Sequence, residues 1–184
     1  HPSYSEYITA KNESTSGFSQ RFQAEDAMTY RNDSSLGASS DGDPKVTPSK
    51  PGYLRMNTVG GNSFRKGGQA ITFEVTVDRA GYYCINFRSK QSWAGKLNSH
   101  KKIEINHEVP FEELECVAFP YDTKWQNVIL GGKENPYQIY LKEGKNEITV
   151  TTVLGPNTET LVILEDALNK LSSLIRKITM IIGS

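Results

Sequence analysis

The clearest pattern along the chain is alternation. Over residues 71–77, Ile71, Phe73, Val75 and Val77 fall on one side of an extended segment and Thr72, Glu74 and Thr76 on the other. The turn DRAG leads into a second run, in which Tyr83, Ile85 and Phe87 share a face. Alternation returns at Ile103 and Ile105, and again at Tyr137, Ile139 and Leu141. After the turn LKEGKN it resumes through Ile148, Val150 and Thr152. Weaker signals predict a first strand in RFQAEDAMTY (21–30), with Phe22, Ala24 and Ala27 inward, and another in YLRMNTV (53–59). FEELECVAFPYDTKW and QNVIL fill the stretch between the Ile103 and Tyr137 strands. Residues 31–52 hold too much Gly, Pro, Ser and Asp for a core element and read as a long loop. Short strands joined by polar turns predict an all-β fold, an antiparallel sandwich.

The two ends of the chain differ from this middle. Residues 1–20 are polar, and Tyr4, Tyr7 and Ile8 read as a short helical turn or an anchor. At the C-terminus the period changes. Leu161, Leu164, Leu168, Leu171, Ile175, Ile178 and Ile182 recur at steps of three and four, a heptad stripe on an amphipathic helix. Asn157 or Thr158 serves as N-cap, Glu159 lies in the first turn, and Gly183 marks the end. The organisation expected is an N-terminal arm (1–20), a sandwich module (21–156) and a C-terminal helix (157–184). The stripe is expected to pack on its own sandwich or on an adjoining domain. A coiled-coil dimer and a membrane-surface helix are the alternatives.

Composition narrows the function classes. The chain has 184 residues, with 21 basic and 21 acidic side chains. That balance points to neither nucleic acid nor an anionic membrane as partner. The apolar run ITMII is too short to span a bilayer. The chain opens on His1 without a visible secretory signal, which suggests a piece of something longer. Cys84 and Cys116 lack metal-ligand spacing. They are expected to be separate buried thiols, with a buried disulfide as the alternative.

Catalytic signals are weak. His100 and His107 flank one strand, and their spacing sends them to opposite faces. GGNSFRKGG (60–68) lacks the Lys-Ser/Thr ending of a phosphate loop. Glu112 and Glu113 are adjacent on an extended segment, so they cannot flank one bond as glycosidase carboxylates do. The reading is therefore non-enzymatic.

Binding chemistry fits better. Sugars offer hydroxyls at the rim and C–H groups on the ring face, so a site for them needs a flat aromatic and a few polar side chains. Trp93 sits in a polar stretch with Arg88, Lys90, Gln91, Lys96 and Asn98. Tyr53 lies near Arg55, Asn57 and Asn62. Trp125, ahead of the apolar residues VIL, reads instead as core or sheet edge. Trp93 has no apolar pattern around it; it is either a core residue or an exposed stacking platform. Glu25 and Asp26, or Asp41 and Asp43, are candidate calcium ligands.

Several motifs together resemble a known family. FQAEDA (22–27), VDRAGYYCINFR, IEINHE and LKEGKNEITV are similar to the β-sandwich carbohydrate-binding modules with a galactose-binding-like jelly roll, over roughly residues 20–155. IEINHE keeps the Asn of that family's Asn-Gly turn but not the Gly. A second likeness is carried by IEINHEVPFEE, Trp125 and PYQIYLKEGKNEITV. It is to a sandwich module embedded in large bacterial extracellular solute-binding proteins. The resemblance implies an extracellular bacterial module binding an oligo- or polysaccharide, joined to further domains of the same polypeptide. It places the ligand in loops at one end of the sandwich, which selects Trp93, Arg88, Lys96, Asn98, Tyr53 and Asn57. It also implies a structural calcium held by the acids of the first motif. Here Gln23 replaces one of them, leaving Glu25, and the family's Asn-Asp pair near the last strand is missing. The alternative is a structural or interaction domain of a solute-binding protein with no ligand of its own.

Overall fold

A computed structural model describes residues 1–9, 19–48, 53, 55–93, 95 and 97–182. It divides into two compact units, His1–Val153 and Leu154–Ser184.

The first unit is an antiparallel β-sandwich. One layer has five strands: β1 (Met28–Arg31), β4 (Ala70–Val77), β11 (Gly144–Val153), β7 (Ser99–Ile105) and β8 (Val117–Phe119), hydrogen-bonded side by side in that order. The other is built on β5 (Gly81–Cys84) and β6 (Asn86–Gln91), which follow each other almost without a break. β10 (Gln138–Leu141) pairs with β5, and β9 (Asp122–Ile129) pairs with β6. The Leu130 N–H to Ile85 O bond, 3.1 Å, ties the two pairs together. A short ribbon of β2 (Ala38–Ser39) and β3 (Thr58–Val59) organises the long loop.

The alternation read from the sequence is the core. Val75, Val77, Ile103, Ile105, Ile148 and Val150 line the five-stranded layer, and Leu130, Ile139 and Leu141 face them with Val109, Phe111 and Leu114. Register follows the same parity: Ile148 lies across from Phe73 on one side and from Ile105 on the other. Each such residue removes its apolar surface from water at roughly 25 cal/mol per Å².

The N-terminal arm is an anchor. Helix α1 (Tyr4–Thr9) packs Tyr4 and Tyr7 on Phe111, each with ring centroids 5.0 Å away. Their phenol oxygens accept the backbone N–H groups of Gln138 and Tyr140, both at 3.0 Å. Those donors lie on the edge of β10 that no strand pairs among the described residues. Two tyrosines thus blunt a sheet edge.

Three expectations are corrected. The segment expected as strand 21–30 starts as a helical turn, α2 (Ala24–Ala27), and only then becomes β1. Its AEDA sequence has no β-branched residue and favours a helical turn. In 53–59, strand structure among the described residues is confined to Thr58 and Val59. Both cysteines are free, as expected, but exposed rather than buried. Cys84 lies on the outer face of β5, opposite the face that buries Tyr82's neighbours in the core, and Cys116 follows the short helical segment Glu112–Glu115.

The second unit is helix α3 (Thr158–Ile182). Every residue from Val162 to Ile178 is exposed, including Leu164, Leu168, Leu171 and Ile175.

Candidate functional site

The segment between β6 and β7 carries Trp93. Gln91 closes its base, its side-chain N–H donating to the Leu97 carbonyl at 2.8 Å. Trp93 is 54% exposed. Its indole N–H donates to Asn62 Oδ1 at 3.3 Å, and the Arg65 guanidinium carbon lies 4.6 Å from the ring centroid. That distance is within cation–π range. Trp93 is therefore a surface aromatic with a fixed orientation, not a core residue.

The residues that hold it come from GGNSFRKGG. Gly60 has φ 84 and Gly61 φ 46, left-handed values that suit glycine and turn the chain into the short helix Gly61–Ser63. Gln69 then fixes the far side of the loop. Its Oε1 accepts the backbone N–H groups of Arg65 and Lys66 at 2.9 and 2.8 Å. Its N–H donates to Asp33 Oδ2 at 2.7 Å. Asp33 also accepts from the Ser35 amide and hydroxyl. These bonds, led by Gln69, hold its carboxyl down at about 2. Arg65 is thus aimed at Trp93 by a loop pinned at both ends.

A second cluster sits on the outer face of the β6–β9 pair. Arg88 lies across from Asn127 in the ladder, and its guanidinium donates to Asn127 Oδ1 at 3.3 Å and to the Lys45 carbonyl at 3.5 Å. Asp41 Oδ2 accepts from Lys90 Nζ at 3.1 Å and from the Trp125 indole N–H at 3.0 Å. The Asp43 amide bond, then Lys90 and Trp125, hold the Asp41 carboxyl below its usual range. Trp125, read as core or sheet edge, is half-buried on β9.

The expected site residues therefore separate. Arg88 belongs to the Trp125 cluster. Asn57 is buried and committed to structure: its amide accepts the Asp41 N–H at 2.8 Å and donates to the Asp41 carbonyl at 3.0 Å. Tyr53 and Asn98 are exposed. Lys96 lies outside the described residues. The reading missed Arg65 and passed over Asn62 as a partner of Trp93. Nothing local signals either contact, since they lie 28 and 31 positions from Trp93. The Asp41–Trp125 bond spans 84 positions.

Glu25 Oε1 is buried without a hydrogen-bond partner, and burial raises its carboxyl above the usual range. Calcium takes about six to eight oxygens. No three Asp, Glu, His or Cys side chains gather to hold a metal among the described residues. Gln23 turns its amide toward the Thr47 hydroxyl at 3.4 Å. Asp41 and Asp43 bind backbone amides two residues on, as turn residues do.

A groove of about 550 Å³ lies along β8 and β9, lined by Glu113, Cys116, Gln126, Lys133 and Tyr137 among others. Its aromatic, Tyr137, is packed against Tyr4 and Phe111 at 4.5 and 5.1 Å. Glu113 accepts the Tyr4 N–H. Ring and carboxylate are thus occupied in docking α1.

No family model matches the chain. No curated protein matches it either. Solved structures do. The β-(1,4)-mannanase of Podospora anserina, a family 26 glycoside hydrolase joined to a family 35 carbohydrate-binding module, is 19% identical over 73% of this chain and 24% of its own, with TM-score 0.44. A Paenibacillus cycloisomaltooligosaccharide glucanotransferase, solved with cycloisomaltoheptaose, is 20% identical over 74% of this chain and 17% of its own, with TM-score 0.49. The chain thus spans about a quarter and a sixth of these two enzymes. A family 35 carbohydrate-binding module from Clostridium thermocellum is 19% identical over 73% of this chain and 85% of its own, with TM-score 0.47. The chain is similar in structure to family 35 carbohydrate-binding modules.

Proposed function

We propose that the chain is a non-catalytic carbohydrate-binding module, and that it works outside the cell as part of a larger polypeptide. One observation carries this reading: an open indole, Trp93, oriented by Asn62 and flanked by Arg65. The indole offers its free face to the C–H groups of a pyranose. Asn62 and Arg65 stand where they can bond the ring's hydroxyls. Such a site binds modestly, because one stacked ring buries little area and each hydrogen bond adds about 1 kcal/mol net.

Two of the candidate catalytic groups are engaged elsewhere. His107 Nε2 lies 3.0 Å from Glu147 Oε2, and Glu113 anchors Tyr4. The reading as an interaction domain without a ligand draws its support from the open stripe of α3.

The test is a glycan panel probed with the wild type and with Trp93→Ala, in calcium and in chelator. Binding by the wild type, lost in Trp93→Ala with the melting temperature unchanged, is the expected result. A wild type that binds no glycan in either condition would leave the interaction-domain reading. A melting temperature that falls in chelator would give Glu25 a cation to hold.

A further inference from the structure

We propose that α3 is a self-pairing helix: two copies of this chain associate antiparallel along the stripe from Leu164 to Ile178. On this 25-residue helix Leu164, Leu168, Leu171, Leu174 and Ile178 are exposed along one face. Helices draw most of their stability from packing such a face, and exposed apolar stripes mark contacts.

The pattern identifies the occupant. In heptad terms Leu168 and Ile175 take one seam position, and Leu164, Leu171 and Ile178 the other. All five are Leu or Ile, so no polar residue interrupts the described seam. A two-fold axis between Asn169 and Lys170 sets Leu168 against Leu171 of the second copy and Leu164 against Ile175 of the second copy. The flanks then complement each other. On one side Leu174 meets Ala167 of the second copy, large against small. On the other, Glu165 comes within reach of Arg176 of the second copy, and symmetry repeats the pair. Parallel pairing would set Glu165 toward Thr160 of the second copy, with no opposite charge to meet.

Charge argues against a membrane as the occupant. Glu159, Glu165 and Asp166 balance Lys170, Arg176 and Lys177 along the helix. Lys170 lies 3.9 Å from Asp166. A helix that lies on anionic lipid needs a surplus of Lys and Arg on its polar face.

Sedimentation equilibrium of the full chain from low to high micromolar concentration tests the proposal. A monomer–dimer equilibrium is expected. Leu168→Lys with Leu171→Lys should abolish it. Glu165→Arg alone and Arg176→Glu alone should each weaken it several-fold, and the two together in one chain should restore it. The charge variants leave the seam intact, so they remain informative where the lysine variant fails to form the helix. A chain that stays monomeric throughout overturns the proposal. So does association that survives the lysine pair, or that ignores both single charge reversals, or co-sedimentation with phosphatidylcholine vesicles in place of dimerisation.

Discussion

The phenol oxygen of Tyr7 accepts the backbone N–H of Tyr140 at 3.0 Å. This bond joins an arm helix to the edge of β10 away from β5. Burial pushes the Tyr7 hydroxyl's pKa up, so it stays neutral across the physiological range. Tyr7→Phe keeps the ring on Phe111 and leaves the Tyr140 amide without its acceptor. The expected loss is about 1 kcal/mol, the usual net value of one such bond. Urea unfolding measures it. An unchanged midpoint would mean that solvent already serves the edge.

Asp33 makes the acid limb of stability. Its carboxylate accepts three bonds and sits at about 2, below the ordinary 3.8. The unfolded state therefore takes up the proton first, and stability falls as pH drops from near 3.8 through about 2. Asp33→Ala should lower the melting temperature at pH 7 and make little difference near pH 2. Melting curves at the two pH values decide it. Because Asp33 anchors Gln69, the same variant should also weaken whatever Trp93 binds, by loosening the loop that aims Arg65.

Much of the fold is legible in the sequence because its signal is local. The alternation in β4 and β11 needs only neighbours, and both strands fall where it predicts. The heptad stripe likewise marks α3. What is not legible depends on distant pairing. Trp125 reads as core or sheet edge from the VIL that follows it. Its bond to Asp41 exists only because β9 pairs with β6 and the long loop crosses over both. Asn57, by type and position a good sugar ligand, is consumed by Asp41's backbone for the same reason. Arg65 is invisible as a neighbour of Trp93, since the glycine-rich loop that carries it reads simply as a flexible turn. Burial of Cys84 fails for a smaller reason: the face of β5 opposite Tyr83 is covered at Tyr82 and open to solvent at Cys84.

Lys101 is a buried cation at the start of the inward run of β7. It is 5% exposed, and burial lowers its amine to about 8. Nζ donates to the Thr152 hydroxyl at 2.7 Å and sits 3.6 Å from the Phe64 ring centroid. These contacts offset part of the desolvation cost. With the folded pKa below the unfolded 10.5, the unfolded state holds more protons between about 8 and 10.5. Stability therefore rises with pH across that window. Lys101→Met, similar in length, should stabilise by about 1 kcal/mol at pH 7. The gain should shrink toward pH 10. A gain that does not vary with pH would trace to packing rather than charge.

The turn after β7 is the place where the chain departs from its Asn-Gly expectation, and the geometry shows the cost. Ile105 and Glu108 exchange backbone bonds of 2.8 and 3.1 Å, leaving Asn106 and His107 as a two-residue hairpin loop. Both have positive φ, 51 and 71. Asn tolerates that region through its short polar side chain, and Asn106 Oδ1 also accepts the Glu147 N–H at 3.0 Å. His107 has no such bond to the backbone; its ring meets Glu147 at 3.0 Å while remaining largely exposed. An exposed ion pair is worth little, at most about 1 kcal/mol. Glycine at this loop position relieves a left-handed strain of about 1–2 kcal/mol. It also gains freedom in the unfolded chain, which returns part of the benefit. His107→Gly should therefore raise stability by about 0.5 kcal/mol. Asn106→Ala, which removes the side-chain bond to Glu147 and keeps the strained φ, should cost about 2 kcal/mol. Urea midpoints for the two variants check the assignment, and a destabilised His107→Gly would show the Glu147 pair to be stronger than its exposure implies.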